Sequence, residues 1–292
     1  MASTSGNQLE QTLVQLRASH KRNYWKLLVR KLHTLNECLA AQGFDTLVVR
    51  AEPGLHSQLA LQMAWSASKL AGSPVRKLIA LCTSPANATP RPQLQELGFE
   101  VRNVGAGALG AALLDATNPD DRASDPGLAT TMAMTALLQL YREAHPSWAV
   151  LGFIDRDQAA YLGEFHPGLE GACDVQLFTD LHRSELFELA KATDLAEPLP
   201  GELEVVSFGR GAVRVHSDEM ELYARLAELP WEVFADIREG WSAPTQKCFA
   251  QIQAHVAQVR AQRARAYVGC SPSIHLDFRP PVPGGWTYKT WN

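Results

Sequence analysis

The sequence has no apolar run long enough to cross a bilayer. The helical stretch Leu128 to Tyr141 is too short and contains threonines. It has no basic excess either, with 27 Lys and Arg against 31 Asp and Glu. That balance excludes the electrostatic footprint of a nucleic-acid binder. Cysteine is sparse and unpatterned. Cys38, Cys82, Cys173, Cys248 and Cys270 form no CxxC pair and are odd in number, which argues against a zinc site or a disulfide framework and for reduced thiols. The opening MASTSGNQLEQ holds no apolar signal core, and no repeat or low-complexity linker interrupts the chain. These absences imply a soluble, cytoplasmic protein without nucleic-acid or membrane partners.

What remains is an ordinary globular composition, 46% hydrophobic and 20% charged over 292 residues. A polar leader, residues 1–18, is expected to be disordered, and residues 19–292 to form a single domain. The basic cluster HKRNYWKLLVRKLH, His20 to His33, reads as the solvated face of a helix from Arg22 to Ala41 that Gly43 ends. Short apolar runs at Thr46–Val49, Lys77–Cys82, Phe99–Val104 and Trp148–Phe153 have strand character. Between them lie helical patterns at Ser57–Ala71, Pro92–Gly98 and Leu128–Ala144, and the polar stretch from Gly105 to Gly127 is the most mobile segment expected. Strand and helix alternate up to residue 153, which predicts an α/β fold with a doubly wound parallel sheet. Beyond it, a helix opens near Ser184. EMELYARLAELP and QKCFAQIQAHVAQVRAQRARAY then predict a helical C-terminal extension, followed by an irregular tail.

In such a sheet, ligands gather at the carboxyl ends of the strands, where a helix N-terminus favours anions. The first strand leads into AEPGLHS, Ala51 to Ser57, which fits neither a Walker loop nor GxGxxG. His56 stands at the entrance of the next helix as a candidate acid–base group or a surface-loop histidine. Ser57 reads as a helix N-cap. DRDQ, Asp155 to Gln158, directly follows a strand and is either a set of ligand contacts or a solvated turn.

The order of these blocks resembles the NAD synthetase family, ATP-pyrophosphatase amide-forming enzymes of the adenine nucleotide alpha-hydrolase-like fold. VVRAEPGLHSQLA falls on the family's SGGxDS loop, and the block from Val150 to Ala190 falls on its later GT, G-x-F-T, GD and L-x-K features. EPLPGEL, with Glu202, is similar to its PTADL segment, and FRPPVP to its KRRPP tail. The resemblance implies adenylylation of a carboxylate by ATP with magnesium, then attack by ammonia, in a homodimer that binds a nucleotide or dinucleotide such as nicotinate adenine dinucleotide. It places Gly54, Ser57, Arg183 and Asp155 at the nucleotide and His166, Glu170 and Asp174 at the substrate. The departures lie at the chemistry. Pro53 replaces a loop glycine and has no N–H to donate, and Glu52 stands where a phosphate-binding hydroxyl belongs. His56 replaces the magnesium-binding aspartate, and Ala159 falls on a second carboxylate position unless Asp155 or Asp157 takes over. No residue is singled out as a metal ligand. Three readings follow: an amide-forming ligase with substitute ligands, a catalytically degenerate nucleotide-binding or partner subunit, or a different reaction with His56 as the acid–base group.

Overall fold

The computed structural model describes residues 4–19, 22–52, 54–82, 91–105, 108, 112, 126–162, 172–193, 203–208, 211–264, 274–276 and 278. Six strands, β1 (Thr46–Ala51), β2 (Lys77–Cys82), β3 (Phe99–Asn103), β4 (Trp148–Asp155), β5 (Val175–Phe178) and β8 (Ile274–His275), form one sheet. Their order is β3-β2-β1-β4-β5-β8, and every neighbouring pair is parallel. The chain winds outward from β1 to β3, crosses back, and winds the other way from β4 to β8. This is the expected doubly wound sheet, and its direction changes between β1 and β4.

All residues of β1 and β4 are buried, as strands covered on both faces require. Their side chains divide with period two. Leu47, Val49, Ala149 and Leu151 join one core with helices α2 (Tyr24–Gln42), α3 (Leu55–Lys69) and α7 (Arg183–Ala192). Val48 and Val150 join a second core with Met134 and Leu138 of α5 (Pro126–Ala144). The short α4 (Arg91–Glu96) leads into β3. Gly152 is needed for close approach: a Cβ there would collide with the side-chain amide of Gln176 on β5.

A third core is helical. It joins Tyr161 of α6 (Arg156–Leu162) to α8 (Ser217–Ala227), α9 (Trp231–Glu239) and α10 (Ala243–Ala264). The antiparallel hairpin β6 (Leu203–Phe208) and β7 (Gly211–His216) precedes these helices. No helix among the described residues is long and apolar enough to cross a membrane.

Three expectations are corrected. The leader read as disordered forms α1 (Thr4–Ala18), which buries Leu9 and Leu13 in the helical core. Trp241 donates its indole N–H to Thr12 at 3.1 Å, so tertiary contacts hold a segment whose own apolar signal is weak. The basic cluster is not wholly solvated. Lys31 is fully buried and donates to Leu177 O, Asp180 Oδ1 and Leu276 O at 2.8, 2.6 and 2.7 Å. All three ammonium donors therefore find acceptors, as a buried lysine requires. β5, β8 and the β6–β7 hairpin are strands beyond those read from the sequence. Lastly, α3 begins at Leu55 with Gly54 as its N-cap, so Ser57 lies inside the first turn.

Candidate functional site

The sheet changes direction where β1 and β4 end, at Ala51 and Asp155. A cleft of about 230 Å³ opens there, lined by Arg50, Glu52, Gly54, His56, Ser57, Phe153 and Gln158. Each lining group has a local reason for its position. Gly54 has φ 118° and ψ 162°, a backbone region that favours glycine, and it turns the chain into α3 without a side-chain cap. Ser57 is buried. Its hydroxyl accepts from Glu52 N–H at 2.9 Å and donates to Arg50 O at 2.8 Å, stapling the loop to the strand end. It is thus not an N-cap, and its one hydroxyl proton is held by Arg50 O.

Asp155 caps α6 through a reciprocal pair. Its Oδ1 accepts from Gln158 N–H at 2.7 Å, while Gln158 Oε1 accepts from Asp155 N–H at 3.3 Å. The other oxygen, Oδ2, lies 2.7 Å from His56 Nε2. This contact crosses the point where the sheet reverses, linking the loop after β1 to the end of β4. Arg50 is the missed residue. It lies with its guanidinium 4.5 Å from the centre of the Phe153 ring and pairs with Glu52 at 3.2 Å. The signal was present: an arginine at the carboxyl end of an otherwise apolar buried strand.

Other expected residues lie elsewhere. Asp174 stands at the amino end of β5. Its carboxylate accepts from Val150 N–H at 2.8 Å and pairs with Arg142 at 2.8 Å, so it ties β4 to α5 at the amino end of the strands, opposite the end where the cleft opens. Burial pushes its carboxyl upward against those two partners. Arg183 opens α7 and lines a separate cavity of about 350 Å³ with Arg17, Ser184, Phe187, Ser217, Asp218 and Glu221. His166 and Glu170, like Pro53, lie outside the described residues.

A second histidine–aspartate pair follows two residues beyond the first. Asp157 Oδ1 lies 2.6 Å from His182 Nδ1, and Asp157 Oδ2 accepts from Arg183 N–H at 2.8 Å. Glu228 faces His182 Nε2 at 3.5 Å and also pairs with Arg156. Burial works against the imidazolium, but the Asp157 carboxylate and Glu228 together outweigh it and raise His182 to about 9. Burial likewise drives Asp157 above the usual carboxylate range, against the pull of His182.

Asp157, His182 and Glu221 bring ligand atoms within 4.8 Å of one another, close enough to surround a cation. Their oxygens are already engaged. Glu221 accepts from Arg17, Arg225 and Ser184 Oγ at 2.8, 2.7 and 2.5 Å, so two guanidinium groups supply the positive charge a metal would bring. No comparable cluster is found at the cleft among the described residues. Both Asp155 oxygens are engaged there and Glu52 pairs with Arg50, so the cleft fits magnesium poorly. The uncapped first turn of α3 fits the phosphate oxygens of a nucleotide better, with the Arg50–Glu52 pair beside it.

No family model matches the chain, and no curated protein matches it by sequence. Solved structures do. An NMN synthetase from Francisella tularensis superposes with a TM-score of 0.53 and 14% identity, covering 86% of this chain and 99% of that one. An NAD+ synthetase from Burkholderia pseudomallei gives 0.52 and 13%, covering 81% and 98%. An NH3-dependent NAD synthetase from Campylobacter jejuni subsp. jejuni NCTC 11168, in complex with the nitrate ion, gives 0.51 and 13%, covering 84% and 95%. The chain thus has an NAD-synthetase-like fold, an α/β parallel sheet of the adenine nucleotide alpha-hydrolase-like kind with a helical C-terminal region.

Proposed function

We propose that this chain is an NAD-synthetase-like nucleotide-binding protein that no longer runs the magnesium-dependent ligation. An adenine nucleotide or dinucleotide binds across the β1–β4 crevice, its phosphates against the first turn of α3 and Arg50. The observation that carries this reading is the 2.7 Å contact between His56 and Asp155. It puts an imidazole where a metal-binding carboxylate is expected and engages the nearest carboxylate able to replace it. A hard cation that prefers oxygen ligands is thereby disfavoured, while the helix terminus still favours an anion. The proposal includes a homodimer, which analytical ultracentrifugation tests directly.

The second reading is the amide-forming ligase itself, which would join ammonia to a carboxylate such as that of nicotinate adenine dinucleotide. In its favour, superposition covers 95 to 99% of the synthetase chains, one of them NH3-dependent. Calorimetric titration with ATP in magnesium and in EDTA separates the two. Binding that survives EDTA is expected, with no amide product formed from ammonium and nicotinate adenine dinucleotide. Magnesium-dependent binding accompanied by amide formation and pyrophosphate release would reinstate the ligase.

A further inference from the structure

The chain carries two histidine–aspartate pairs at the end of β4, and their surroundings differ. In the pair His182–Asp157, both imidazole nitrogens face carboxylates, Asp157 on one side and Glu228 on the other. The side chains are 1% and 3% exposed, so this pair is sealed and structural. In the pair His56–Asp155, Nε2 faces Asp155, and Nδ1 makes no hydrogen bond to any described residue. The His56 side chain is 13% exposed and lines the cleft, whereas Asp155 is 1% exposed behind it.

We infer that His56 and Asp155 form a proton-transfer dyad that directs water onto a phosphoanhydride of the bound nucleotide, an inference that rests on the nucleotide-binding reading above. The geometry sets the roles. Asp155 cannot swing, because Gln158 N–H holds one oxygen while His56 takes the other. A carboxylate only accepts, so the proton of the neutral imidazole sits on Nε2 and the lone pair on Nδ1. That is the arrangement of a base oriented by a buried carboxylate. The first turn of α3 supplies positive potential for the oxygens on which charge develops, and Arg50 stands beside it in its pair with Glu52. The cleft holds about 230 Å³, room for a few phosphate groups and a water at roughly 30 Å³ per water.

The step balances. The water oxygen forms a bond to phosphorus, the bridging P–O bond of the anhydride breaks, and the water proton passes to His56 Nδ1. The imidazolium then returns that proton to the departing phosphate or to solvent. Asp155 remains a carboxylate throughout and is a positioning residue, while His56 is the catalytic one.

The test uses the full chain with ATP or an NAD-type dinucleotide, and neither ammonium nor a carboxylate acceptor. Hydrolysis is expected, with oxygen from labelled water appearing in a phosphate product. His56→Ala should lower kcat by about 10²- to 10⁴-fold while calorimetric affinity for a non-hydrolysable ATP analogue stays close to the parent's. Added imidazole should restore part of the lost rate, an effect that a structural histidine would not show. Asn caps a helix as well as Asp, so Asp155→Asn keeps the start of α6 and should lower kcat with little change in KM. Where His56→Ala unfolds, His56→Gln takes its place. A parent chain that binds the analogue but hydrolyses nothing overturns the dyad and leaves the nucleotide reading standing. Failure to bind any nucleotide overturns both, and hydrolysis unaffected by His56→Gln removes the dyad's role.

Discussion

Gly54 turns the chain into α3 at φ 118°, and nothing lies within 4 Å of where its Cβ would stand. An alanine there would strain the backbone without a steric clash. Gly54→Ala should cost on the order of 1–3 kcal/mol, measured as a lower urea midpoint. An unchanged midpoint would mean that the loop relaxes freely. Lys31 is a sharper case, because its removal strips the fully buried Asp180 carboxylate of its counter-charge and leaves it the Phe278 N–H at 3.2 Å. Lys31→Met should destabilise by about 3–5 kcal/mol, and Lys31→Met with Asp180→Leu by less, since the double change removes the stranded charge. Equal losses in chemical denaturation would refute that account. The same contrast explains what could be read of the site. Gly54, His56 and Asp155 lie at or just past strand ends and could be singled out from sequence. Their pairing across the crevice could not, because no spacing rule brings residue 56 to residue 155. Arg50 was overlooked because an apolar strand invites attention to its pattern rather than to its one charge.

Among the elements, continuous apolar runs announced β1, β2 and β4, since strands buried on both faces cannot hide their composition. β5 and β8 are only four and two residues long, too short for any periodicity. β8 exists because Ile274 N–H donates to Asp174 O and Leu276 N–H to Gln176 O, bonds that depend on a partner strand. α1 was missed for a related reason. Leu9 and Leu13, four apart on a polar helix, become core residues only when α8 and α10 are present. Arg17 adds a bridge to Glu221 and Asp218 at 2.8 and 2.6 Å. Leu13→Ala should therefore cost about 2–5 kcal/mol and lower the thermal midpoint, whereas a disordered leader would be indifferent to it.

For the whole molecule, the buried charges predict a stability that falls at both ends of the pH scale. Burial opposes ionisation of Glu221, but Arg17 outweighs it, helped by Arg225 and Ser184, and holds that carboxyl at about 2 against an ordinary 4.5. A lowered carboxyl contributes stability above its unfolded value, and that share is lost as the pH falls from 4.5 towards 2. His182 has the opposite sign. Raised from 6.5 to about 9, it contributes fully below 6.5, and its share disappears as the pH rises through 9. Urea midpoints across the range should show both limbs, and His182→Asn should flatten the alkaline one. An alkaline limb that survives this change would assign it to other groups.

Lys31 also sets an order of events during synthesis. Its third acceptor, Leu276 O, lies 245 positions further along the chain. While the ribosome is still making the C-terminal helices, the ammonium has one carbonyl too few and the outer edge of β5 has no neighbour. Lys31 gains its third acceptor only once Leu276 has left the exit tunnel, 245 positions after the lysine itself. A nascent chain stalled before residue 274 should accordingly be more open to protease than the released protein.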